Sequence, residues 1–316
     1  MSFLSLDPSN PAHLSAIVSI WTASCGPALA MTRRLAAYNL QPATGAVQAG
    51  QVAVRYDAPI GFVLCSALPG DRATSPPELG WIDAVTVLPD AQGHGIGSEL
   101  LAWAENSLRE QGCTGAKLGG GLRPFAAGYP AELGNEGFFR RRGFRARAGS
   151  EYVWDVARDL SDYAATRRRD DAAIRPAQPG DENRLLEFLE REFPNRWRFA
   201  FQEFRREGGR ISDWVVLLTG RGVDGFARLT FEDSVQPLGR FYPHSLPRPW
   251  GQLGPIGVSK DLRGKGYGGA LLDVSLGHLR ERGVRGCIID WTDLVDFYSR
   301  FGFKPYRQYA MLVKAL

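Results

Sequence analysis

This chain of 316 residues is short of the groups that most often build metal centres and stapled scaffolds: it has four cysteines, four histidines and three methionines. Cys25, Cys65, Cys113 and Cys287 are far apart and show neither metal-ligand nor disulfide-framework spacing, and the histidines are equally scattered. Neither a metal site nor a disulfide framework is expected. No apolar run approaches the ~18 residues of a membrane span, and Met1–Asp7 lacks the basic start and apolar core of a signal peptide. We therefore expect a cytoplasmic protein without a membrane partner. Charge of one sign is also missing: 38 basic residues face 34 acidic ones, a balance of +4 that gives no reason to expect nucleic acid. Low-complexity segments and repeats of 20 to 50 residues are absent too. What remains, 44% hydrophobic and 23% charged residues, is the composition of a globular protein long enough for two domains.

A longer repeat is present. Sliding the sequence by 171 positions aligns Val87–Gly119 with Val258–Asp290 without a gap, and 12 of those 33 positions are identical. Gly93, Gly95 and Gly97 fall on Gly264, Gly266 and Gly268, and Leu100-Leu101 on Leu271-Leu272. Each half then carries a similar phrase, Phe138-Phe139-Arg140-Arg141-Arg142-Gly143-Phe144 and Phe297-Tyr298-Ser299-Arg300-Phe301-Gly302-Phe303. Two copies of one domain explain this. The expected boundaries are 1–160 and 174–316, joined by a polar linker over 161–173. In the first copy a helix is expected over Pro11–Ala23 and strands over Val52–Tyr56, Gly61–Leu68 and Trp81–Val87. In the second, Asp181 is expected to cap a helix that carries Leu185, Phe188 and Leu189 and is interrupted by Pro194, with strands over Trp214–Leu218, Phe226–Phe231 and Leu253–Val258.

In both copies a strand leads through a short loop and alternating glycines into an amphipathic helix. Glycines let successive backbone N–H groups face one concavity, and the helix start adds unsatisfied donors and the positive end of its dipole. Such a turn suits phosphate. Gly264, Gly266 and Gly269 also satisfy a dinucleotide fingerprint, with Asp290 about 20 residues on. In that fold the first glycine follows the strand almost directly, whereas here Ser259–Arg263 intervenes, so nicotinamide chemistry is disfavoured.

The turns Gln92-Gly93-His94-Gly95-Ile96-Gly97 and Arg263-Gly264-Lys265-Gly266-Tyr267-Gly268, each followed by the Phe-(Phe/Tyr)-x-x-x-Gly-Phe phrase, resemble the two linked motifs of the GCN5-related N-acetyltransferases (GNAT). The resemblance covers nearly the whole chain as a tandem pair, and its tandem members include mycothiol synthases and glucosaminide N-acetyltransferases. It implies an α/β fold in each half, a mixed and mostly antiparallel sheet splayed between its fourth and fifth strands, with helices on both faces. It also implies acetyl-CoA as cosubstrate, its diphosphate on the N–H groups of Arg263, Gly264, Lys265, Gly266, Tyr267 and Gly268 and its pantetheine arm along Ile256, Gly257 and Val258. The matching first-copy positions are Gln92, Gly93, His94, Gly95, Ile96 and Gly97 with Val85, Thr86 and Val87. Tyr298 matches the family's position for a hydroxyl that serves the departing thiolate, and the first copy has Phe139 there. Asp290 is placed at the end of the fifth strand to take a proton from the amine, where the alignment puts Gly119 in the first copy. Asp293 and His244 are rival bases, and Asp290 has the alternative task of capping the next short helix. The expectation is direct acetyl transfer in the second copy to a primary amine of a small molecule, an amino sugar being one candidate. The first copy is then a degenerate partner able to hold CoA, and a CoA sensor without transfer is the alternative. The segment Arg240–Trp250 is expected to reach over the substrate side, and Gly119–Gly137, with Arg123, Phe125 and Tyr129, to act as a lid or an interdomain clasp.

Overall fold

A computed structural model of the protein describes residues 1–167 and 169–316. The elements are β1 (Ser2–Ser5), α1 (Pro11–Cys25), α2 (Arg33–Asn39), β2 (Val47–Arg55), β3 (Ala58–Ala67), β4 (Leu79–Val87), α3 (Ile96–Glu110), β5 (Gly115–Leu118), β6 (Tyr129–Pro130), α4 (Glu136–Arg140), β7 (Arg145–Ala146) and β8 (Tyr152–Asp159). They continue with β9 (Ala173–Pro176), α5 (Glu182–Glu192), α6 (Arg196–Arg206), β10 (Trp214–Thr219), β11 (Gly222–Phe231), β12 (Trp250–Val258), α7 (Tyr267–Glu281), β13 (Gly286–Thr292), α8 (Val295–Ser299), β14 (Lys304–Ala310) and β15 (Leu312–Ala315). They form two compact units, Met1–Val153 with Arg307–Leu316, and Trp154–Tyr306.

In unit 1 the sheet runs β1-β2-β3-β4-β5-β15-β7, antiparallel except for the β4–β5 pair. α3 closes one face: Ile96, Leu100, Leu101, Ala104 and Leu108 pack with Val63, Cys65 and Ile82. Alternation in β3 sends Phe62 the other way, against Phe125, whose ring also meets Trp21 of α1 at 5.4 Å. In unit 2 the strands run in the order β8-β13-β12-β11-β10-β9, and β12–β13 is the parallel pair. Here the period of two is explicit. Val215 and Leu217 pack with Leu271, Leu272, Leu276 and Leu279 of α7, while Trp214 and Val216 join Leu185, Phe188, Phe201 and Phe204 of α5 and α6. Both units thus have a mixed sheet with helices on its two faces, as the resemblance implies.

Two strands fall on the other side of the expected boundary. Residues 154–159 pair with β13 in unit 2, and β15 pairs with β5 in unit 1 through Val313↔Lys117 and Ala315↔Gly115. Alternating hydrophobicity says which face of a strand is buried and is silent about which sheet it joins. Lys314 fastens β15 further, its Nζ 2.6 Å from Glu105 of α3. The segment read as a linker is docked on unit 2: Asp273 of α7 accepts the N–H groups of Thr166 and Arg167 at 2.8 and 2.7 Å and the hydroxyl of Tyr163.

Asp181 also differs from expectation. It precedes α5 but makes no side-chain cap there. Its carboxylate instead accepts the Gln178 N–H at 2.7 Å and the Arg175 guanidinium at 2.6 Å, closing a single 3₁₀ turn ahead of the helix. Beyond Pro194 the chain re-enters a helix, α6, whose Trp197 joins Phe193 in packing on Phe226.

Candidate active site

The parallel ladders end early and open a fork in each unit. β4 and β5 are paired from Leu79↔Gly115 to Ile82↔Leu118, and β12 and β13 from Trp250↔Gly286 to Gln252↔Ile288. Beyond these points Val85–Val87 pair only with β3, and Ile256–Val258 only with β11, so the edge facing the fork is open in each. Both strands bulge at the fork, after Ile82 and after Leu253, which turns the chain out of the ladder.

The glycine turns follow. Gly93, Gly95, Gly264 and Gly266 have φ of 80°, 85°, 76° and 88°, the left-handed region that favours glycine. Gly95 and Gly266 precede the first turns of α3 and α7 without a side-chain cap, so the N–H groups that open each 15-residue helix have no side-chain acceptor at the cap. Space above the turns is open, since a Cβ added at Gly93, Gly264 or Gly268 would meet nothing within 4 Å. The first residue of each motif ties the turn to its strand: Gln92 Nε2 donates to Val87 O at 2.9 Å and Arg263 Nε to Val258 O at 3.4 Å. His94 is exposed and stays on the turn, its Nδ1 2.8 Å from Gln92 O.

In unit 1 the fork opens into a cavity of about 630 Å³ whose lining includes Val85–Val87, Gln92, Gly93, Gly95–Gly97, Gly119, Tyr129 and Phe139. Open strand edge, glycine turn and cavity form one continuous surface there, of a size and chemistry that fit an acylated coenzyme. Cys25 also lines it, and burial, with a smaller contribution from Glu132, pushes its thiol up to about 12, so it is neutral. The expected lid over Gly119–Gly137 is not one. Phe125 is fully buried, and Arg123 bonds Gln41 O at 3.2 Å and covers the Tyr38 ring at 4.4 Å, so residues 119–130 pack into the unit, while Glu132, Gly134, Asn135 and Gly137 are exposed.

In unit 2 a bulge between Ile289 and Thr292 takes Asp290 and Trp291 out of register with β8. Trp291 is held at φ 52°, with its N–H on Asp155 Oδ1 at 2.9 Å. This re-aims Asp290 into the fork, where Gln252 Nε2 donates to its Oδ1 at 2.6 Å. The residue before α8 is Leu294, so Asp290 is not that helix's cap. Tyr298 of α8 is 5% exposed, and burial first, then the charges of Asp290 and Asp293, raises its phenol well above the ordinary value of 10. The hydroxyl therefore keeps its proton at neutral pH. Asp293 is exposed, and so is His244, whose ring lies against Tyr242 and Trp250 at 6.3 and 5.8 Å. The Arg240–Trp250 segment packs inward through Phe241 and Tyr242.

Three features had no sequence signal. Gln252 is fully buried between Thr230, whose hydroxyl donates to Oε1 at 2.7 Å, and Asp290. Arg169 stacks over Tyr267 at 3.7 Å, donates to Lys265 O at 3.0 Å and is paired with Asp171 at 2.7 and 2.8 Å, which puts an ion pair against the turn that opens α7. Asp83 is 5% exposed in the unit 1 fork and accepts from Ser66 Oγ at 2.6 Å. At the offset of 171, Asp83 falls on Gly254 and Gly119 on Asp290, so each fork has one carboxylate and one glycine in exchanged positions.

A model of the acetyltransferase (GNAT) family matches residues 18–144 and again residues 182–303. The chain belongs to that family, as a tandem pair, and is an acyltransferase. It is 26% identical over 239 residues to a mycothiol acetyltransferase of Actinosynnema mirum, covering 72% of this chain and 73% of that one. Among solved structures it is similar to the GCN5-related glucosamine N-acetyltransferase region of a fungal multi-domain GH3 β-N-acetylglucosaminidase, with a TM-score of 0.87 and 25% identity over 99% of this chain. It spans 38% of that longer protein. A tandem GNAT protein from the clavulanic acid pathway shares the fold at 14% identity and a TM-score of 0.73, covering 99% of this chain and 98% of that one. Among the described residues no helix is long and apolar enough to cross a membrane, and no group of three or more His, Cys, Asp or Glu is arranged to hold a metal ion.

Proposed function

We propose that the protein moves acetyl from acetyl-CoA to a primary amine of a small molecule, an amino-sugar derivative, with the transfer in unit 2. The observation that carries this reading is the bulge after Ile289 that turns Asp290 into the unit 2 fork, where Gln252 holds its carboxylate at 2.6 Å. The names of two relatives, a mycothiol acetyltransferase and a glucosamine N-acetyltransferase region, support the acceptor class. Bound acetyl-CoA would supply the activated thioester.

The chain's own residues divide the remaining work. Backbone N–H groups of residues 263–268 hold the diphosphate, and the edge of Ile256–Val258 aligns the arm. Val85–Val87 and residues 92–97 offer the same binding surface in unit 1. Asp290 takes the proton that the amine gives up, held in the carboxylate orientation that Gln252 sets. Tyr298, kept protonated by burial, gives its proton to the departing sulfur.

Tyr298→Phe keeps the ring and removes only the hydroxyl. Turnover, read as CoA release with a panel of primary amines, is expected to fall by ~10²- to 10⁴-fold with acetyl-CoA affinity unchanged. Unchanged turnover removes the role. Binding of acetyl-CoA without release by any amine overturns the reading as a whole.

A further inference from the structure

The reading that leaves unit 1 chemically silent rests on Phe139 and Gly119, which stand where unit 2 has Tyr298 and Asp290. Both missing groups return from other elements. Twenty positions separate Gly119 from Phe139, whereas eight separate Asp290 from Tyr298, so unit 1 has extra chain at this point. That chain doubles back: Gly119 and Gly120 take φ of 68° and 63°, Gly120 N–H donates to Ala126 O at 2.8 Å, and a Cβ on Gly119 would meet Ala126 O at 2.9 Å. The return sets Tyr129 beside α4, its ring edge-to-face with Phe139 at 5.5 Å. Tyr129 is 6% exposed and lines the cavity.

Its hydroxyl accepts the Asn135 N–H at 2.7 Å. A phenol has one proton to donate, and an N–H partner on the oxygen leaves that proton for another acceptor. Burial raises this phenol above its ordinary value, so the proton stays on at neutral pH. Asp83 supplies the carboxylate from β4 in the place where unit 2 has Gly254, and it too lines the cavity.

We propose that unit 1 is a second acetyl-transfer centre, in which Tyr129 replaces the hydroxyl missing at Phe139 and Asp83 receives a small cationic amine. This rests on the reading of the glycine turns as acyl-CoA cradles. The amine nitrogen bonds to the acetyl carbon and the carbon–sulfur bond breaks, its electron pair staying on sulfur. The Tyr129 proton goes to that sulfur and solvent restores the phenol, while the two protons the ammonium gives up, one before attack and one as the amide forms, pass in turn to Asp83 and on to solvent.

The test uses the full chain with unit 2 disabled by Tyr298→Phe and Asp290→Asn, assayed for CoA release over an amine panel. The proposal expects residual turnover above the rate without amine, and a further fall of at least ~10-fold on adding Tyr129→Phe. Competitive inhibition of that residual turnover separates chemistry from packing: Tyr129→Phe should weaken CoA and leave desulfo-CoA, which has no sulfur, unchanged. Absence of residual turnover, no effect of Tyr129→Phe, or equal weakening of both inhibitors overturns the proposal. Loss of all activity with Tyr298→Phe alone leaves the unit 2 reading standing and sinks this one. Loss with Tyr129→Phe alone, Tyr298→Phe being silent, does the reverse.

Discussion

Gln252 offers a quantitative probe of the unit 2 fork. Its Nε2 lies 3.1 Å from Gly254 O and 2.6 Å from Asp290 Oδ1, and both are acceptors, so the amide can only turn its NH₂ toward them. Oε1 then faces the Thr230 hydroxyl at 2.7 Å. Gln252→Leu keeps the volume approximately and removes every polar atom. A hydrogen bond to an ionised group contributes ~1.5–3 kcal/mol, and the buried Thr230 hydroxyl left behind costs ~1–3 kcal/mol of stability. If the bond orients the carboxylate for the amine, losing it lowers kcat by ~10- to 150-fold. The assay is a double-mutant cycle with Asp290→Asn, measuring kcat by CoA release and stability by urea unfolding. Coupling of ~1.5–3 kcal/mol in kcat is expected, with Gln252→Leu changing the Asp290→Asn enzyme by about twofold or less. Effects that add to within ~0.5 kcal/mol refute the relay, because independent sites behave in that way.

Three other outcomes follow from the same geometry. Arg169→Ala should weaken acetyl-CoA binding at unit 2 by ~2- to 5-fold, the size expected of a partly exposed cation, and the difference should shrink in 1 M salt; calorimetry at two salt concentrations checks both. Gly266→Ala puts a Cβ at φ 88° and should destabilise the start of α7 by ~1–2 kcal/mol, seen in urea unfolding; a loss under ~0.5 kcal/mol contradicts the strain argument. Burial, then Arg282, lowers His278 below its ordinary 6.5. The unfolded chain therefore binds that proton first, and stability should fall as pH drops below about 6.5, whereas His278→Gln should lose that part of the slope across urea midpoints at pH 7.5, 6 and 5.

The two glycine turns were readable in the sequence because they are made of backbone. A left-handed backbone position leaves glycine as the usual solution, and the solution recurs at a fixed offset in Gly93, Gly95, Gly264 and Gly266. Helix and strand positions were readable for a similar reason, since one buried face imposes a period, as Val215 and Leu217 against Trp214 and Val216 show. Partner choice was not. β15 and residues 154–159 alternate like any strand, and only tertiary pairing assigns them to sheets. Nor did local pattern reveal that Asp181 would spend its carboxylate on Gln178 and Arg175 one turn ahead of α5.

Proton handling is the least legible layer, and the forks show why. An alignment at constant offset compares a position with its own copy, so it registers Gly119 and Phe139 as losses. Side chains act through space. A carboxylate can serve its fork from β4, as Asp83 lies in unit 1, or from β13, as Asp290 lies in unit 2, and a phenol on a 12-residue longer connection can reach the cavity that a phenol on α4 would reach. Duplication thus leaves the cradle where it was, because backbone donors cannot move to another element, while the titrating groups are free to change strands. Chemistry in such a pair has to be sought by what converges on each fork, and in unit 1 that is Asp83 and Tyr129.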